Sequence, residues 1–284
     1  MRNHILTSAA IGAFTLASLG AAPAMAGSGV TYVSGKGADA GSCATPATAC
    51  RNFAYALSQT DSHGEIKTLD PADYGVVAIA KSVTITGVPG ASIEMFSAGS
   101  AISIDNGAVT VSLRGIEING RNVGTSGITV ANAKSVSIVD CIVRRVGADG
   151  ISISPAAGAV TATISNTISS NNGNFGIQFV PGAGAKVTAS VDHVTTNNNG
   201  FSGILVAPKA AVMISDSIAS NNANSGYRAS GDATSKMYLS RNVVSGNPTG
   251  IHNVTAATVK SFGDNKVYGN TTDVDGAVGS VASK

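Results

Sequence analysis

The stretch that decides the fold runs from Gly127 to Ile251. It reads GITVANAKSVSIVDCIVRRVGAD (127–149), GISISPAAGAVTATISNTISSNNGNF (150–175), GIQFVPGAGAKVTASVDHVTTNNNGFS (176–202), GILVAPKAAVMISDSIASNNANS (203–225) and GYRASGDATSKMYLSRNVVSGNPT (226–249), then GI again at 250–251. A glycine followed by an apolar residue opens every unit, at intervals of 23, 26, 27, 23 and 24 residues. A second block returns inside each: Asp140-Cys141-Ile142, Asn166-Thr167-Ile168, Asp192-His193-Val194, Asp216-Ser217-Ile218 and Arg241-Asn242-Val243. Asparagine turns follow, at Asn171-Asn172, Asn197-Asn198-Asn199, Asn221-Asn222 and Asn247. Self-similarity at such a period is the signature of a repeat architecture.

Between the turns the sequence alternates with the period of a strand. Ile128 and Val130, Ile151 and Ile153, Ile177 and Phe179, and Ile204 and Val206 face one way, with Thr129, Ser152, Gln178 and Leu205 facing the other. A second strand per unit carries Val136 and Ile138, then Ala162 and Ile164, then Ile214. A unit of this length cannot bury its apolar side alone and must stack on its neighbours. Stacking as coils sets equivalent residues about 4.8 Å apart in parallel sheets. The expected fold is therefore all-β, a single-stranded right-handed parallel β-helix, its hand following from the preference of parallel crossovers. The coils are too long for leucine-rich repeats and lack their leucines. The asparagine columns are expected to be structural, because Asn accepts left-handed backbone angles and stacked amides form ladders.

Outward from the repeats, Cys50–Leu57 (CRNFAYAL) is the best helix candidate, with Phe53 and Leu57 on one face, and is expected to cap the first coil. Residues 264–284 lose the apolar rhythm, as a polar cap or tail would. At the start, Arg2 precedes an apolar run from Ile5 to Leu19 and then Ala24-Met25-Ala26, the pattern of a secretory signal cut after Ala26. The expected organisation is a signal peptide at 1–26, an N-terminal segment with a disulfide loop and capping helix at 27–63, the β-helix at 64–276 and a tail at 277–284. An exported chain is implied, in the periplasm, on the surface or outside the cell. No later segment approaches the roughly 20 apolar residues of a spanning helix.

With Arg2 removed, 17 basic residues face 16 acidic ones, which leaves no electrostatic footprint for nucleic acid. In an oxidising compartment Cys43 and Cys50, bracketing a short loop, are expected to pair. Cys141 is left over as a packed thiol.

The blocks Thr31-Tyr32-Val33-Ser34-Gly35, Cys43 through Cys50, Gly64-Glu65-Ile66, Leu69-Asp70-Pro71 through Tyr74-Gly75, and Lys81-Ser82-Val83-Thr84-Ile85, with the Gly-Ile coils, resemble the secreted bacterial right-handed β-helix repeat proteins of the pectate-lyase-like superfamily. The resemblance implies the fold, and a superfamily rich in polysaccharide lyases, hydrolases and epimerases. Fold alone does not carry function. The Asn-Thr-Asp, Asp-Asp, Gly-His-Gly and Arg-Ile-Lys patterns of polygalacturonase-type hydrolases are absent, as is the Asp-Pro-His-Glu signature of alginate epimerases. With three glutamates (Glu65, Glu94, Glu117), a Glu pair for acid and base work is not expected.

The candidates for chemistry are few. Arg144 and Arg145, with Asp149 close behind, form the densest charge cluster of the repeats, and Arg145 replaces an asparagine of the turn column. Arg228 and His252 occupy matching outward positions on adjacent coils and could flank a glycan carboxylate. Asp140, Asp192 and Asp216 are the candidate metal ligands, although two coils separate the first from the second, and local turns explain them as well. No resident cofactor is expected; calcium enters only if the chain is a lyase. The leading expectation is a non-catalytic surface, matrix or glycan-binding role through flat Ser/Thr ladders such as Ser135, Ser137, Thr161, Thr163 and Thr188. The alternative is a polysaccharide lyase, hydrolase or epimerase, and an extracellular polysaccharide is the expected partner in either case.

Overall fold

A computed structural model describes residues 27–281. The signal peptide expected at 1–26 and the last three residues of the expected tail lie outside this range.

The repeat folds into coils whose strands join three parallel sheets. Sheet A has eleven strands, from Ser28–Val33 to Gly279–Ser280. Sheet B has eight, from Ser92–Glu94 to Lys266–Val267, and sheet C nine, from Val77–Ile79 to Thr272–Asp275. Each coil visits A, B and C in turn. The apolar alternation sets the register: Ile128, Ile151, Ile177, Ile204, Tyr227 and Ile251 lie side by side along sheet C. All six are buried, as are Val136, Ile138, Ile164, Val191, Ile214 and Leu239 of sheet A, so one shaft of aliphatic side chains runs the length of the solenoid. A one-residue slip would turn that whole set to solvent, which makes the register strongly specified.

The corners are set by the backbone. Between sheets A and B, Asp140, Asn166, His193, Asp216 and Arg241 all adopt left-handed angles, with φ between 48° and 55°. Between B and C the left-handed residues are Arg145, Asn171, Asn198 and Asn221, with φ from 54° to 57°. Two columns read from the sequence therefore shift by one residue in the longest unit. Asp192 pairs with Ser165 and Ser215 as the last residue of its strand, so His193 makes the corner. Likewise Asn197 pairs with Ser170 and Ser220, leaving the corner to Asn198.

The residue after the B–C corner turns inward and builds a buried amide ladder through Asn172, Asn199, Asn222, Asn247 and Asn270. The Asn199 carboxamide oxygen accepts from both the backbone N–H and the amide of Asn172, each at 3.1 Å. Its own amide donates to Ser169 O at 3.2 Å and to Asn222 Oδ1 at 3.0 Å. The ladder explains the glycine of the doublets from Gly150 onward, while at Gly127 the Val143 side chain takes that space. A Cβ on Gly150 would lie 2.6 Å from the Asn172 amide, and one on Gly203 3.0 Å from that of Asn222. A second, shorter ladder joins Ser217, Asn242 and Asn265 at the A–B corner.

The N-terminal end is plugged by the helix Phe53–Gln59, capped by the Asn52 side chain, which accepts from Tyr55 N at 3.0 Å. Phe53, Ala56 and Leu57 are buried, and the Phe53 ring lies 5.0 Å from that of Tyr74. Cys43 and Cys50 form a disulfide, their Cα atoms 5.3 Å apart. Sheet pairing extends past 64–276 at both ends. Ser28–Val33 already pairs with Thr60–Thr68, and Gly279–Ser280 pairs with Thr258–Ser261. Residues 264–280 thus continue the coil with mostly exposed side chains, in the manner of the polar cap that was one of the two expectations for this stretch. No helix among the described residues is long and apolar enough to cross a membrane.

Asn199→Ala removes four buried hydrogen bonds and is expected to cost about 2–4 kcal/mol, at roughly 1 kcal/mol per bond. The neighbouring corner variant Asn198→Gly, in a left-handed and exposed position, is expected to stay within about 0.5 kcal/mol of the parent. Urea unfolding of the two measures the contrast; equal losses would contradict the ladder's role.

Candidate functional site

The solenoid presents three flat outer faces, and the residues nominated by the sequence fall on different ones. Arg144, Arg145 and Asp149 do not form a cluster, because they straddle the B–C corner. Arg144 lies on sheet B and pairs with Glu117 of the preceding coil. Arg145 sits at the left-handed corner itself, exposed. Asp149 opens a strand of sheet C and is nearly buried. Its carboxylate accepts from Asn174 Nδ2 at 2.9 Å, Phe175 N at 3.2 Å and Gln178 Nε2 at 2.6 Å. Burial nonetheless holds its pKa above the usual carboxylate value, against the pull of those bonds.

Arg228 and His252 do meet, in register on sheet C. Arg228 Nη1 donates to His252 Nδ1 at 3.0 Å and to Asn224 Oδ1 at 3.2 Å, and its guanidinium carbon lies 5.3 Å from the centre of the Phe201 ring. Phe201 stands edge-on to Phe175, ring centres 5.3 Å apart. On the far side, His252 Nε2 faces Asp275 Oδ2 at 3.2 Å.

The acidic candidates are already partnered. Asp140 pairs with Arg114 at 2.9 Å. Asp216 takes a two-pronged contact from Arg241, at 2.8 Å from Nε and 2.5 Å from Nη2. Asp192 accepts from Ser215 Oγ at 2.6 Å and His193 Nδ1 at 2.7 Å. Asp192, His193 and Asp216 bring ligand atoms within 4.8 Å of one another. Calcium takes about six to eight oxygen donors; this group offers two carboxylates and an imidazole nitrogen, with one carboxylate held by a guanidinium. The cluster does not fit calcium.

A further group lies on sheet A. The lysines 186, 209 and 236 come from three successive coils and line a groove of about 590 Å³ with Thr188, Ala211 and Thr234. Lys186 and Lys209 flank the paired residues Val187 and Ala210, and Lys236 stacks beside Ala211. Lys209 holds a left-handed turn, φ 66°, with its N–H on Thr234 Oγ1 at 3.1 Å and its amine on Ala183 O. The lining residues themselves carry no carboxylate, but Asp232 stands at the edge, accepting from Thr234 N at 2.9 Å with its charge felt by Lys209. Beside it the outward face is a floor of small polar groups: Ser135, Thr161 and Thr188 in one row, and Ser137, Thr163 and Ser190 in the next, which Met213, Tyr238 and Lys260 then extend. No motif marks these lysines in the sequence, since they become neighbours only through coil register. The one usable signal is the 23-residue spacing of Lys186 and Lys209, which matches the coil register there; Lys236 lies two residues beyond the register position of Lys209.

Against known proteins, the sequence matches the family model described as right handed beta helix region over residues 66–207 and again over 100–272. No curated protein matches it in sequence. Among solved structures, the crystal structure of pectate lyase Pel9A superimposes with a TM-score of 0.61 at 16% identity, covering 89% of this chain and 78% of that one. The A-modules of the Azotobacter vinelandii mannuronan C-5 epimerases AlgE4 and AlgE6 follow with TM-scores of 0.38 and 0.31. Both are 12% identical and match 78% of this chain, with 89% and 91% of the respective modules covered. The likeness to the pectate lyase is one of fold.

Two outcomes follow from the local environments. Burial, then the Arg228 charge, lowers the pKa of His252, with Asp275 opposing. A histidine whose pKa falls on folding stabilises the native state above its unfolded value of 6.5, and that contribution is lost as pH drops through the window below it. His193, raised by Asp192, works in the opposite sense. His252→Gln is therefore expected to flatten the fall of thermal midpoint below pH 6.5, and an unchanged profile would contradict this. Burial pushes the Cys141 thiol up to about 11. At neutral pH it is expected to resist maleimide in the native protein and to label only on unfolding.

Proposed function

The chain belongs to the right-handed β-helix family, and on that premise we propose that it is an exported protein that binds an acidic extracellular polysaccharide along the outer face of sheet A. The observation that carries this reading is the lysine-lined groove. Three amines from consecutive coils line it, against a single carboxylate, Asp232, at its edge. Coils repeat about every 4.8 Å, a spacing comparable to one residue of an extended sugar chain, so successive coils can meet successive uronates. The Ser/Thr rows supply hydroxyl donors and acceptors, and Tyr238 an aromatic surface. Exposed ammonium groups suit a solvated polyanion, whose binding they steer and strengthen in a salt-dependent way.

The reading is of a binding surface, and it assigns no acid, base or nucleophile. Turnover as a lyase, hydrolase or epimerase is the alternative, and it draws support from the pectate lyase fold alone.

The triple variant Lys186→Gln/Lys209→Gln/Lys236→Gln is expected to bind polygalacturonate about tenfold more weakly or worse, at roughly 0.5 kcal/mol per exposed charge pair. Affinity electrophoresis measures this, with binding to a neutral glucan as the baseline. Unchanged retardation of the triple variant would overturn the reading. The ultraviolet absorbance of unsaturated uronate and the release of reducing ends, followed in the same mixtures, would reveal a lyase or a hydrolase.

A further inference from the structure

Arg228 differs from most arginines of the solenoid. Arg114, Arg121, Arg144 and Arg241 each face a carboxylate. Arg228 has none within ion-pair distance among the described residues. Yet it is more deeply set than they are, and burial lowers its pKa. A guanidinium carries five donors in a planar fork. Here one nitrogen is spent on the neutral acceptors Asn224 Oδ1 and His252 Nδ1. The guanidinium lies over the half-exposed Phe201 ring, which with Phe175 forms an aromatic ledge beside the charge.

The hydroxyls of the adjoining strands are unevenly satisfied. Ser202, next to Phe201 in sequence and paired in register with Ser225, is fully buried, and its hydroxyl has no hydrogen-bond partner. Ser225 shows what such a hydroxyl does when satisfied: it donates to Asn224 Oδ1 at 2.7 Å and lies 3.4 Å from His252 Nδ1. Buried polar groups are seldom left unpaired.

We propose that Phe201, Arg228 and His252 form a second binding site, on sheet C, for a carboxylate-bearing sugar. The free edge of the guanidinium takes the carboxylate in a two-pronged contact, and the phenyl ledge of Phe175 and Phe201 takes the apolar face of the ring. Asp275, bound to the far nitrogen of His252, holds the imidazole in place. The ligand class rests on the polysaccharide reading above, but the site does not: it lies on a different sheet from the lysine groove and shares no residue with it. One molecule could then hold two glycan strands, as a cross-bridge.

The test is calorimetric titration of the mature protein with a short galacturonate oligosaccharide and with its neutral methyl ester. Arg228→Met, which keeps an unbranched apolar stem of similar length and removes the fork, is compared with the triple lysine variant, after urea unfolding confirms that both fold. Two sites are expected in the parent for the acid, one of them lost in Arg228→Met and the other in the triple variant. Arg228→Met binding with parental stoichiometry would overturn the second site and leave the groove reading intact. Equal binding of the methyl ester at the site that Arg228→Met removes would overturn the carboxylate assignment. No binding by the parent would overturn both.

Discussion

Vertical hydrogen bonding between coils, enforced by left-handed corners and a buried amide ladder, is the constraint on which the rest of the structure depends. A parallel strand pair fixes its register through the pattern of its buried face, and here that face alternates Ile, Val, Ala and Phe through coil after coil. The corners add a second lock. A left-handed residue turns the chain at nearly the same φ in each coil, and the Asn that follows sends its amide into the solenoid, where it satisfies backbone groups of the coil before it. An amide bonded above and below tolerates no displacement, and the glycine packed against it tolerates no side chain.

This rigidity decides what the outside can do. Any residue pointing outward is repeated, in position if not in identity, about 4.8 Å away on the next coil. Chemistry is therefore laid out in rows, suited to an extended ligand more than to a small enclosed one. The face of sheet A illustrates the plain case, with Thr and Ser in register over several coils. Function enters where a row changes character. Lysines replace small residues at one edge of sheet A, and on sheet C the row Ser152, Gln178, Leu205 gives way to Arg228, His252 and Asp275. The acidic corner is a contrasting case: its carboxylates are engaged by arginine, serine and histidine partners, an arrangement that does not suit calcium.

Much of the fold was legible in the sequence because the repeat is written in residue types with few alternative uses. The Gly-Ile doublets, the alternating β-branched residues and the Asn pairs gave the parallel solenoid, and Phe53 and Leu57 gave the capping helix. Registration within a unit was harder to read. In the 27-residue unit both Asp192 and His193 suit a corner, and three consecutive asparagines suit the next, so the choice is made by strand pairing. The pairing of Arg228 with His252 could be seen because both follow a doublet at the same offset. The scattering of Arg144, Arg145 and Asp149 could not, since sequence neighbours at a corner point to different faces. The lysine groove was hidden for the reverse reason: its members are distant in sequence and adjacent only after coiling.

Hydrogen exchange of the mature protein with and without polygalacturonate tests the central claim most directly, because it reports where along the solenoid a polyanion lies. Slowed exchange is expected in the segments that wall the groove, 182–188, 208–211 and 232–236, with the outer strands of sheet B unchanged. Protection confined to sheet B or to the coil ends, or no change at saturating glycan, would contradict it.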